Sequence, residues 1–113
     1  MGHTGGGRGK NVIQLKISGK DPGKTRSHAR LLGDLCLDLK SANPVKYNTL
    51  VVMGPIEASL PRIAEHYRWQ ILLKCENTRI LHAYMGALLS AHPRHFANRE
   101  VRTIIDVDPY FIM

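Results

Sequence analysis

The chain has 113 residues, 43% of them hydrophobic and 22% charged, which suits one globular domain and excludes the two lobes of an ATPase motor. Sixteen lysines and arginines against nine acidic residues leave a net charge of +7, a balance that points to a polyanionic partner, nucleic acid or an acidic peptide. No apolar run reaches the roughly 18 residues that span a membrane, and residues 1–10 lack the apolar stretch of a signal peptide, so a cytoplasmic chain without membrane partners is expected.

Residues 1–10 (MGHTGGGRGK) are rich in glycine and read as a flexible leader or tag remnant, with the domain over 11–113. Residues 11–18 alternate: Ile13, Leu15 and Ile17 face one way, Gln14 and Lys16 the other, as in a half-buried strand. A turn over 19–23 follows. Asp21 can cap a helix, with Pro22 at its first position. The helix then shows an apolar stripe of Ala29, Leu32, Leu35, Cys36 and Leu39, and Asn43-Pro44 ends it. Residues 50–53 make a short apolar strand, stopped by Gly54-Pro55, and residues 56–66 read as an irregular connection.

The clearest strand is 67–74. Tyr67, Trp69, Ile71 and Leu73 share one face, while Arg68, Gln70, Leu72 and Lys74 share the other. Asn77 or Thr78 caps a second helix to about Ala91, with Leu81, Tyr84, Leu88 and Ala91 as its buried stripe. His92-Pro93 closes it, residues 93–100 form a loop, and the last strand covers 101–107, with Thr103, Ile105 and Val107 inward and Arg102 and Ile104 outward. The order strand-helix-strand-strand-helix-strand predicts an α+β, ferredoxin-like two-layer sandwich, with an antiparallel four-stranded sheet and both helices on one face. The first and third strands sit centrally in that topology. Gln14, Lys16, Arg68, Gln70 and Lys74 then share an open face, with Arg102 beside them.

Motifs that suggest catalysis or metal binding are incomplete. Gly23-Lys24-Thr25 follows a strand and opens a helix, but a phosphate-binding P-loop needs glycine where Ser18 stands. His92 and His95 are split by Pro93, Cys75 and His82 are too far apart for one helical turn, and Asp106 with Asp108 has no third ligand nearby, so no metal site is assigned. Cys36 and Cys75 form no C-x-x-C pair and read as reduced core residues. No catalytic set and no cofactor is expected in this chain. The basic face remains, and with Tyr67 and Trp69 directed to the core it suits backbone phosphates rather than stacked bases. Lys16, Arg68, Lys74 and Arg102 are the candidate DNA-binding residues.

Met53-Gly54-Pro55, then Tyr67-Arg68-Trp69-Gln70-Ile71-Leu72-Leu73-Lys74, then Ile105-Asp106-Val107-Asp108-Pro109 resemble the C-terminal domain of primosomal protein N′ (PriA), the bacterial replication-restart DNA helicase. The segment Leu15-Lys16-Ile17-Ser18-Gly19-Lys20-Asp21 is similar as well. The resemblance implies an S10-like fold, a role in binding branched or single-stranded DNA, and docking of the acidic tail of single-stranded DNA-binding protein, alongside the other helicase domains. For that tail Arg79 and His82, at the start of the second helix, are the candidate residues. ATP and zinc are implied only for other domains of the parent helicase. The competing reading is a free-standing S10-like RNA-binding or ribosome-associated protein.

Overall fold

The computed structural model describes residues 11–58 and 66–107. Its elements are β1 (Asn11–Gly19), α1 (Pro22–Ala42), β2 (Val51–Glu57), β3 (Tyr67–Cys75), α2 (Thr78–Ala91), the one-turn α3 (Pro93–Phe96) and β4 (Val101–Val107). The strands form one antiparallel sheet in the order β2-β3-β1-β4, so β1 and β3 are central and β2 and β4 are the edges. This is the expected ferredoxin-like arrangement.

Period-two patterning gives the sheet its buried face. Ile13, Leu15 and Ile17 from β1 and Ile71 and Leu73 from β3 are all at most 1% exposed, each stabilising the fold by roughly 1.5–3 kcal/mol on burial. Ala29, Leu32 and Cys36 of α1 and Leu81, Tyr84, Met85 and Leu88 of α2 complete the core against that face. Both helices start on a side-chain cap: the Asp21 carboxylate accepts the Lys24 N–H, and the Asn77 side chain accepts the N–H groups of Arg79 and Ile80. Such caps stabilise a helix end by about 1 kcal/mol. Buried Asn11 ties the start of β1 to α2 by donating to the Glu76 carbonyl and to Thr78 Oγ1 at 2.6 Å.

Several boundaries differ from the sequence expectation. β2 does not stop at Gly54-Pro55 but runs to Glu57. Gly54 adopts φ +108 and the register with β3 shifts between Met53 and Ile56, so the Gly-Pro pair is absorbed as a bulge. Proline is tolerated there because β2 is an edge. The loop after α2 contains the α3 turn, from which Phe96 packs on the core. Ala91 is exposed rather than part of the α2 stripe, and Val107, though on the core side, is 39% exposed at the strand end. Tyr47 and Leu50, in the connection before β2, are buried, with Tyr47 edge-on to Tyr84 at 5.1 Å between ring centroids. The expected leader at 1–10, Asp108, and most of the 56–66 connection lie outside the described residues.

Cys36 and Cys75 are free and buried. Burial pushes the Cys36 thiol up to about 11, so it stays protonated and unreactive at neutral pH. The Tyr84 hydroxyl, also raised by burial, donates to the Cys36 carbonyl across the two helices. No described helix is long and apolar enough to cross a membrane.

Candidate nucleic-acid interface

Strand register arranges the open face in rows, because directly paired residues share a face. Arg68, Ser18 and Arg102 make the first row, on β3, β1 and β4. Ile56, Gln70, Lys16 and Ile104 make the second, and Met53, Leu72, Gln14 and Asp106 the third. Val51, Lys74 and Val12 make the fourth. All four candidate DNA-binding residues do lie on this face. They do not form one patch: Lys74 is six residues along β3 from Arg68, about 20 Å away.

The face divides by chemistry. At one end Lys16, Arg68 and Arg102 line a shared concavity of about 1060 Å³ with Lys20, Lys24 and Arg99, against the carboxylates of Asp21 and Glu100. Two of those cations are already paired. Lys16 meets Asp106 and Lys24 meets Glu100, each at 2.9 Å, and the Glu100 carboxylate raises the Lys24 pKa through its hydrogen bond and charge. Lys20, Arg68, Arg99 and Arg102 make no ion pair among the described residues. Four cations without an ion-pair partner among the described residues, around one hollow in which cations outnumber carboxylates, favour an anion there, and a phosphate backbone presents such charges in series. The other end is apolar, with Lys74 set among Val12, Val51, Met53 and Leu72. Between the two ends Gln14 donates to Gln70, joining the central strands.

Lys20 and Arg99 escaped a reading based on strand faces because they sit in turns. What brings Arg99 to the site is the turn before β4, where Asn98 Oδ1 accepts the N–H groups of Glu100 and Val101 at 2.8 and 3.0 Å. The asparagine three residues before the strand is the sequence signal for that turn. In sequence Asp106 pairs with Asp108, whereas the structure sets it on Lys16. No described Phe, Tyr or Trp projects from the open face by strand register, but His66 and Trp69 both line the concavity. Trp69 lies on the core side, half-buried and packed against the core.

Arg79 and His82 are both exposed near the start of α2. The Asn77 cap already occupies the N–H groups of Arg79 and Ile80, which leaves less of the helix start open to an anion. The described part of the 56–66 connection lies away from Arg79 and His82 and adds no contact to them. Ala58 N–H donates to the Arg68 carbonyl, at the end of β3 opposite to α2. No group of three or more His, Cys, Asp or Glu able to hold a metal occurs among the described residues.

The model of the primosomal protein N C-terminal domain family matches residues 10–110. The replication restart protein PriA of Bacillus subtilis (strain 168) is 29% identical over 62 residues, 55% of this chain and 8% of that protein. Among solved structures, a hydantoinase/carbamoylase family amidase from Burkholderia ambifaria superposes with a TM-score of 0.56 at 16% identity, over 88% of this chain and 27% of that one. The designed protein LFR1 1, with a ferredoxin fold, gives 0.52 at 11% identity over 87% and 83% of the two chains. At these identities the structural likenesses concern the fold alone.

Proposed function

Because the chain belongs to the primosomal protein N C-terminal domain family, we propose that it is a DNA-docking module of a replication-restart protein, working in the cytoplasm, with its contact surface at the cationic end of the sheet. The observation that carries this reading is the gathering of Lys20, Arg68, Arg99 and Arg102, without an ion-pair partner among the described residues, around one concavity. Guanidinium groups suit phosphate oxygens because they donate in pairs from a rigid plane. Six cations line the hollow against two rings, His66 and Trp69, and Trp69 is packed on the core, which favours contact with the backbone over base reading, hence tolerance of sequence. On this reading the chain docks and positions DNA for the longer protein, and Lys74 contributes little.

Titration of the chain against forked, single-stranded and duplex DNA at low and high salt tests the proposal. Binding that weakens steeply with salt, and that is lost in the Arg68→Ala/Arg102→Ala variant, is expected. Affinity that ignores salt, or that survives the double substitution, removes this surface. A marked preference for RNA would favour the S10-like RNA-binding alternative.

We further propose that Arg79 and His82 mark where the acidic tail of single-stranded DNA-binding protein docks. Support comes from their exposure and from the family. Arg79 supplies a charge-assisted donor, and the Asn77 cap limits what the backbone adds. Weak binding by the isolated chain is therefore expected. An NMR titration with the tail peptide should shift resonances at 77–82, and a copy lacking the terminal Phe should not; equal shifts with both would reduce the interaction to nonspecific charge attraction.

A further inference from the structure

β4 is an edge of the sheet and pairs only with β1 among the described residues. Open edges template association unless proline, a bulge or a central charge blunts them. The opposite edge is blunted: β2 carries Pro55 and a broken register between Met53 and Ile56. β4 has neither device. Its register with β1 is continuous from Val101 to Val107, it contains no proline or glycine, and its centre is Ile104-Ile105, with Ile104 44% exposed.

The edge is also complementary to itself. Two copies laid antiparallel about Ile104 set Arg102 of each against Asp106 of the other, Thr103 against Ile105, and Val101 against Val107. Arg102, Ile104 and Asp106 share the open face, so both charge pairs flank an Ile104–Ile104 contact on one side of the joined sheet. Directly opposed side chains there stand about 5 Å apart. Other registers are worse. Centring the pair on Thr103 or Ile105 sets Arg102 or Asp106 against Ile104, and centring it on Arg102 or Asp106 sets like charges together. The bridge from Lys16 to Asp106 is compatible, since a carboxylate can accept from two donors at once.

We propose that β4 is a self-association edge, through which two copies of this chain join antiparallel into a continuous eight-stranded sheet with Ile104 on the two-fold axis. The inference does not depend on DNA binding. One seven-residue strand pair is small beside the roughly 1,600 Å² of a standard interface, so the dimer is weak and forms only at high concentration.

Sedimentation equilibrium on the chain from micromolar to millimolar concentration tests it. A monomer–dimer equilibrium is expected. Arg102→Asp and Asp106→Arg, each alone, place like charges across the axis and should weaken association roughly tenfold. Mixing the two variants, or combining both changes in one chain, places opposite charges across it again and should restore association. Circular dichroism confirms that each variant is folded. A chain that stays monomeric at every concentration overturns the proposal, as it would if a segment outside the described residues covers the edge. Dimers that persist unchanged in both single variants, or that are not restored by mixing, overturn it as well.

Discussion

Thr103 Oγ1 is buried on the core side of β4 without a hydrogen-bond partner among the described residues. A buried hydroxyl left unpaired costs more than the methyl that would replace it, so Thr103→Val is expected to raise stability by about 1 kcal/mol in chemical denaturation. Trp69 shows the opposite case. Its ring packs on the core, and Trp69→Ala should cost roughly 3 kcal/mol, at the low end of the range for such truncations because the side chain is only half-buried. His28 carries a pH dependence. Its Nε2–H donates to the His95 carbonyl at 2.8 Å, and burial lowers its pKa below the ordinary 6.5. The unfolded chain therefore takes up the proton first. This stabilising contribution is complete above about pH 6.5 and declines as the pH falls through that value toward the folded-state pKa. The melting temperature should drop on acidification, and His28→Gln, which keeps a neutral donor, should lose part of that drop.

At the scale of elements, the strands and both long helices were legible because their patterns are local: period two in 11–18 and 67–74, an apolar stripe with caps in each helix. What was not legible depended on partners. Gly54-Pro55 reads as a stop in isolation, yet β3 holds β2 in register on both sides of the bulge. Tyr47 looks like a loop residue until Tyr84 and the core close over it. Gly33 illustrates the same dependence. In a helix interior glycine costs about 1 kcal/mol relative to alanine, so sequence alone recommends Gly33→Ala. In the fold a Cβ there would lie 2.7 Å from Pro55 Cδ, on the backbone-anchored ring that seats β2 against α1. Overpacking of that kind costs about 1–3 kcal/mol and outweighs the propensity gain. Gly33→Ala should lower the denaturation midpoint, whereas at Gly86, where nothing lies within 4 Å, Gly86→Ala should raise it.

For the molecule as a whole, the net charge of +7 said that an anionic partner was expected but not where it would bind. The alternation of the strands placed four cations on one face, and only the register and turns divided that face. Asp106 draws Lys16 into a pair, the Asn98 turn brings in Arg99, and the apolar rows isolate Lys74. This division makes a graded prediction for DNA binding. Each phosphate contact to duplex DNA contributes about 0.9 to the slope of log affinity against log salt concentration, and about 0.7 for a single strand. Arg68→Ala, Arg99→Ala and Arg102→Ala should each reduce the slope by nearly one such increment, because each removes a cation that has no ion-pair partner among the described residues. Lys16→Ala should reduce it by less, since its charge is shared with Asp106, and Asp106→Asn should strengthen binding by freeing Lys16. Lys74→Ala, some 20 Å along the strand, should leave the slope unchanged. Equal losses from Lys74→Ala and Arg68→Ala would instead mean that DNA crosses the full length of the sheet, over the apolar rows as well as the cationic end.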